Sequence, residues 1–384
     1  MRKIAITLSA IALVLACGLA GIGFYIGLNV PSEPTLPPSP TVTTVPTQTI
    51  TVPTTAPTIP ATVQTNPTTV PTEPPTVPTE PPTVPTEPPT VPTEPPTVPT
   101  EPPTVPTEPP TVPTEPTPPV IPDISARHAF VYDLSAGKML FSHGKMDESF
   151  SPASITKLFT VWVGLQYLPL DTVITVGEEV NWIDPGSSRA QLKPGYKITA
   201  EMCVQAMIIR SGNDAAYSWA VAAGRVIAGD VNLDRAKAME VFMAEMNRQA
   251  QELGLTGTHF VNPDGITADD QYMNLTDLLQ IAKLAMETPI ILETSGISKL
   301  KVTCLTGQKL EWQNSNYLLH KEMPEFYCPE AFGLKTGSTK AAGKCLISAF
   351  HDGDRTLLIC VMGCPDDNSR FGDSKALFET FRNT

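Results

Sequence analysis

The chain has 384 residues, and 33 of its 42 prolines fall between Pro31 and Pro122. It therefore reads as an apolar start (1–30), a Pro/Thr-rich tract (31–122) and 262 residues of ordinary globular composition (123–384), and only the last has both the length and the composition to bury a core. The net charge of −13 divides as +2, −8 and −7 over these segments, which argues against a nucleic-acid binder.

Arg2 and Lys3 precede an apolar run from Ile4 to Leu28, about the ~20 residues that cross a bilayer as a helix. Basic residues at the leading end alone keep that end inside and export the remainder. An uncleaved signal anchor is the expectation. Lipidation of Cys17, after Val14-Leu15-Ala16, and cleavage are the alternatives. In each case the globular segment is delivered to the outer face of the membrane or beyond. Val70 to Thr111 is six copies of Val-Pro-Thr-Glu-Pro-Pro-Thr, with an imperfect seventh from Val112. Such a tract has too few apolar side chains for a core and should extend as polyproline II, at ~3.1 Å per residue. Its 92 residues would reach on the order of 280 Å at most, as a semi-rigid spacer.

Within the globular segment, Arg127–Leu134 and Lys138–Ser142 read as strands joined at Ser135-Ala136-Gly137. Ser154 to Leu168 is a strongly apolar helix stopped by Pro169. Thr199 caps a helix to Arg210, and Asn213 or Asp214 starts another to about Ile227. Leu233–Leu253 and Leu275–Glu287 are amphipathic helices. Strands return at Gly296–Leu305, Gly333–Thr336, Lys344–Phe350 and Arg355–Met362, the last two joined by a turn at His351-Asp352-Gly353-Asp354. A helical pattern from Asp373 closes the chain. Strands at both ends with helices between them predict an α/β (α+β) fold, an antiparallel sheet flanked by helices.

No metal-ligand spacing, dinucleotide fingerprint or phosphate loop is present, so no metal or cofactor is expected. Ser-x-x-Lys occurs four times, at Ser135, Ser142, Ser154 and Ser298. Ser135 falls in a turn and Ser142 at a strand end. An alternating strand would place Ser298 and Lys301 on opposite faces. Only Ser154 opens a helix, where Lys157 shares its face and a desolvated lysine can accept a proton near neutral pH. Ser211-Gly212-Asn213 is the chain's only Ser-x-Asn, and Lys335-Thr336-Gly337 its only Lys-Thr-Gly. An acyl transfer needs a nucleophile, a base, a proton relay and a cationic anchor, and these residues supply those types.

In this order the three motifs are the active-site set of penicillin-recognising serine enzymes. With Pro152-Ala153 before Ser154, Ile209-Arg210 before Ser211, Phe260-Val261-Asn262-Pro263-Asp264-Gly265, and Gly333-Leu334 before Lys335, the chain resembles the D-alanyl-D-alanine carboxypeptidases among the low-molecular-mass penicillin-binding proteins. The similarity runs from about Arg127 to the C-terminus. The resemblance implies a β-lactamase/transpeptidase-like domain with Ser154 as acylated nucleophile and Lys157 as its base. Ser211 and Asn213 would relay protons and hold the substrate amide. Lys335 and Thr336, with Gly337 and Ser338 beside them, would bind near the terminal carboxylate. The backbone N–H groups of Ser154 and Ser338 would form the oxyanion hole, and Arg370 would contact the substrate carboxylate. The family often has histidine at the position of Asp264, and histidine or tyrosine at Ser338; Asp264 is given no catalytic role. The Ser211–Lys335 interval is long for the family, with the extra length expected around Val221–Ala250. No β-rich C-terminal domain of the kind many relatives carry is expected after the closing helix.

The implied function is a serine D,D-carboxypeptidase that trims peptidoglycan stem peptides ending in D-Ala-D-Ala and is inhibited by β-lactams, anchored in a bacterial membrane and facing the wall. The alternatives are a D,D-endopeptidase, a β-lactamase (for which no Glu-x-x-Leu-Asn of the class A type is present) and a non-catalytic stalked wall-binding module. Cys203 and Cys345 sit in apolar patterns and read as core; a Cys304–Cys328 bridge is conceivable.

Overall fold

The computed structural model describes residues 119–382 and 384. The anchor and lipidation readings for 1–30, and nearly all of the Pro/Thr-rich tract, lie outside the described residues. Five antiparallel strands form the main sheet in the order β2-β1-β9-β8-β7: β1 (His128–Asp133), β2 (Lys138–His143), β7 (Ala331–Thr339), β8 (Gly343–Asp352) and β9 (Arg355–Cys364). The first and last strands thus lie side by side, with Val131 opposite Ile359. Two ribbons stand apart from this sheet, β3 (Val173–Thr175) with β4 (Lys197–Thr199) and β5 (Lys299–Thr303) with β6 (Lys309–Gln313).

The apolar runs of β8 and β9 follow from burial on both faces. Leu358, Cys360 and Met362 point into one apolar cluster, and Leu357, Ile359 and Val361 into another. The second cluster is closed by Phe371, Leu377, Phe378 and Phe381 of α7 (Asp367–Phe381). The first and larger cluster lies under the helices α1 (Thr156–Gly164), α2 (Ala200–Ile208), α3 (Asn213–Ala228), α4 (Arg235–Glu252) and α5 (Leu275–Met286). A short helix, α6 (Pro289–Ser295), follows them with proline at its first turn.

Several ends differ from expectation. Ser154 sits in a 3-10 turn, Ala153–Ile155, and the α-helix proper ends at Gly164 rather than Leu168. The closing helix begins at Asp367, six residues before the expected Asp373, because Asp366 caps it by accepting from the Ser369 N–H. Gly296–Leu305 shortens to β5, which pairs with the unanticipated β6 and takes no place in the main sheet. The six cysteines of the described residues are all buried free thiols, and Cys304 and Cys328 pack in different clusters, so the conceivable bridge between them is not formed.

Candidate active site

The sheet presents the edge strand β7 to the turn that carries Ser154. Gly337 makes this approach close: a Cβ there would stand 3.0 Å from the Ala153 Cβ and 3.3 Å from the Ser154 backbone nitrogen. Every residue of α1 except Trp162 is buried, and Lys157 lies on this enclosed helix at 0% exposure. Its ammonium donates to Ser154 Oγ at 2.8 Å and to the Asp264 carbonyl at 2.7 Å. Burial pulls the Lys157 pKa down to about 8, against the opposing pull of the Asp264 and Asp214 carboxylates. Thr160 Oγ1 donates to the Pro263 carbonyl at 2.7 Å, tying the same helix to the loop that holds Asp264.

The second wall comes from the α2–α3 junction. Ser211 takes a left-handed backbone, φ 59°, just before α3 begins. Its hydroxyl accepts from Lys335 Nζ at 2.9 Å, and Lys335 also donates to the Thr336 carbonyl at 3.0 Å. Lys335 is 1% exposed. Desolvation, with Lys157 and Arg370 nearby, holds its pKa well below the usual lysine range. Asn213, the first residue of α3, is buried with its Oδ1 left without a partner. Trp219 on the same helix donates to the Thr160 carbonyl at 3.0 Å, which sets α3 against α1 and so sets Asn213 relative to Lys157.

These elements bound a cleft of about 1020 Å³ lined by Ser154, Asp184, Asn213, Thr267, Ser338 and Lys340 among others. A volume of this size accommodates a peptide segment or a drug-sized ligand. The structure therefore brings together Ser154, Lys157, Ser211, Asn213, Lys335, Thr336, Gly337 and Ser338. Arg370 reaches the same strand from α7. Its guanidinium is buried on α7, donating to the Gly337 carbonyl at 3.1 Å and paired with Asp367 at 2.6 Å.

Two carboxylates that the motif reading gave no role in the site have one in the structure. Asp214, 0% exposed, accepts from the N–H groups of Ala190 (2.8 Å), Leu192 (3.0 Å) and Ala215 (3.0 Å), pinning the cleft's 184–192 loop to the start of α3. Its place one residue after Ser-Gly-Asn was the only available signal. Asp214→Ala leaves buried N–H groups unpaired and is expected to cost on the order of 3 kcal/mol in urea unfolding. Asp264, the other, supplies the carbonyl that receives Lys157, and a backbone role of this kind leaves no mark on side-chain identity.

Comparison with known proteins agrees with this geometry. Residues 113–366 match the family described as D-alanyl-D-alanine carboxypeptidase. The chain belongs to that family. It is 33% identical to the D-alanyl-D-alanine carboxypeptidase DacC of Escherichia coli over 266 residues, 67% of this chain and 61% of that protein. It is 30% identical to DacB2 of Mycobacterium tuberculosis over 244 residues, 63% of this chain and 76% of that one. Among solved structures, a DD-transpeptidase from Streptomyces superposes with a TM-score of 0.61 at 27% identity, covering 68% of this chain and 98% of the other. The chain spans about 60% of the length of several curated carboxypeptidases it matches: 61% of DacC, and 59% of DacF from Bacillus subtilis. The family match embraces the turn of Ser154, the α2–α3 junction and the whole of β7, which are the three walls of the cleft.

Proposed function

We propose that this chain is a serine D,D-carboxypeptidase that removes the terminal D-alanine from peptidoglycan stem peptides through an ester on Ser154, and that penicillin acylates the same residue. The observation that carries this reading is the buried Lys157 held 2.8 Å from the Ser154 hydroxyl at the base of an open cleft. In its neutral form Lys157 takes the Ser154 proton as Oγ bonds to the carbonyl carbon before the terminal residue. The backbone N–H groups of Ser154 and Ser338 receive the developing oxyanion. Asn213 holds the substrate amide, and Ser211, bonded to Lys335, passes a proton to the departing amine. Lys335, Thr336, Gly337 and Ser338 receive the terminal carboxylate along the edge of β7. A carboxylate beside Lys335 returns that lysine to its charged form, because the pair replaces the water lost on burial. Arg370 adds positive charge behind Gly337. Water then hydrolyses the ester.

Transfer to an amine in place of water is the second reading. It is favoured by the name DD-transpeptidase carried by the Streptomyces structure. Anchoring belongs to the proposal as well. Arg2 and Lys3 with the apolar run Ile4–Leu28 would hold the chain in a membrane, and the Pro/Thr-rich tract would be the spacer between that run and the catalytic domain.

The test uses the full chain with a fluorescent penicillin and, separately, with diacetyl-Lys-D-Ala-D-Ala, with Ser154→Ala as control. A stable adduct located on Ser154 by intact mass, with release of D-alanine, is the expected result. Rapid turnover of penicillin without peptide cleavage would instead make the protein a β-lactamase. A folded chain that forms no adduct and cleaves nothing would be a stalked binding module. Adding an amine acceptor to the peptide assay separates transfer from hydrolysis.

A further inference from the structure

Asp264 is 1% exposed, in a loop that lies directly over the nucleophile's turn. Its backbone carbonyl receives Lys157 Nζ at 2.7 Å and Ser154 Oγ at 3.4 Å, so one residue touches both reacting groups. Its side chain is poorly satisfied. Oδ1 accepts from the Ile266 N–H at 3.1 Å, and Oδ2 is buried with no hydrogen-bond partner. A buried carboxylate lacking partners is costly unless a nearby charge compensates it. The cation that does so is Lys157: each of the two is the leading charge acting on the other, after burial itself.

We propose that the Asp264 carboxyl is a positioning residue that controls how readily Lys157 holds the proton it takes from Ser154, and so sets the pH range in which the chain acylates. This rests on the reading of Ser154 as the acylated nucleophile. On acylation the Ser154 proton moves to the Lys157 lone pair while Oγ bonds to the carbonyl carbon, and the amide nitrogen of the broken C–N bond then takes that proton. The buried charge that appears in between is an ammonium, and the carboxylate of the residue whose carbonyl holds that ammonium favours its formation.

Lys157 faces Asp264 from the loop, Asp214 from α3 and Lys335 from β7; Asp264 faces Lys157 and, across the cleft, Asp184, and the Tyr217 phenol of α3 also feels its charge. Burial raises the Asp264 pKa and lowers that of Lys157, so the pair titrates as one coupled unit. Asp214 is already committed to three backbone N–H groups, whereas Oδ2 of Asp264 has nothing else to bind.

The experiment follows acylation of the full chain by fluorescent penicillin between pH 5 and 9 for the wild type, Asp264→Asn and Asp264→Ser. Without the carboxylate, Lys157 loses its proton at lower pH and is a weaker base once it has done so. The plateau rate is expected to fall three- to tenfold, and the acidic limb to move down by roughly half a unit or more. Acylation at pH 6 relative to pH 9 therefore rises about threefold. Both variants should share the displacement, since they have different shapes and the same missing charge. A plateau that falls while the limb stays in place, in variants that melt cooperatively, would reduce Asp264 to a structural residue and overturn the inference alone. A wild type that is not acylated at any pH would overturn it together with the proposed function.

Discussion

Lys157→Met is expected to slow acylation of Ser154 by about 10²–10⁴-fold and to lower thermal stability as well. Both effects come from the same burial. Enclosed on α1 at 0% exposure, the ammonium has lost its water and recovers Ser154 Oγ and the Asp264 carbonyl as acceptors, with the Asp264 carboxylate as the leading opposite charge. A methionine of similar volume keeps the packing but leaves that buried carboxylate without its compensating cation, and removing one partner of a buried pair costs up to about 3–5 kcal/mol. It cannot accept a proton. Stopped-flow acylation and a thermal melt of the same preparation check both halves. The pH profile of the wild type follows from the same group. With its pKa drawn down to about 8, Lys157 is mostly ammonium at pH 6, and the acylation rate should rise with pH and level above about 8. A flat profile between pH 6 and 8 would mean that another group takes the proton.

Much of this site was legible in the sequence because its chemistry uses side chains at fixed spacing. Ser154 and Lys157 share a helical face, Ser211 and Asn213 flank a helix start, and Lys335 lies on a strand. Each local geometry is set by short-range rules, and the side chains meet as those rules require, although Ser154 stands in the 3-10 turn before α1 rather than in the α-helix itself. The buried state of Lys157 was not legible, since an apolar helix with one lysine can expose it or bury it, and the packing of α1 decides. What escaped depends on tertiary placement. β3, β4 and β6 are short strands whose partners are other short strands, with no alternation long enough to stand out. Arg370 is legible by type alone: its guanidinium reaches the Gly337 carbonyl from α7 and pairs with Asp367, so its contacts are set by the packing of α7 rather than by a local pattern. The contact of the Asp264 backbone oxygen with Lys157 is open to any residue, so that part of its role leaves no mark on the sequence.

Gly265→Ala is the substitution expected to damage the site most without removing a reacting group. Gly265 has φ +85°, and a Cβ there would stand 1.8 Å from the Ala153 carbonyl oxygen and 2.8 Å from Thr156 Oγ1. Those atoms belong to the turn that carries Ser154, so the conflict cannot be resolved by a flexible side chain. The loop must move away by more than an ångström, drawing the Asp264 carbonyl from Lys157 and Ser154. Misplacement on that scale costs about 10² in rate. The left-handed backbone adds roughly 1–2 kcal/mol and the overpacking about 1–3 kcal/mol to the loss of stability. Gly254→Ala separates these contributions, because Gly254 also has positive φ, +72°, but nothing lies within 4 Å of its added Cβ. That variant should show the backbone cost alone in urea unfolding and acylate at the wild-type rate. If Gly265→Ala acylates as fast as Gly254→Ala, the loop is not what holds the nucleophile and its lysine in register, and the geometry of the Ser154 turn must be maintained by β7 through Gly337.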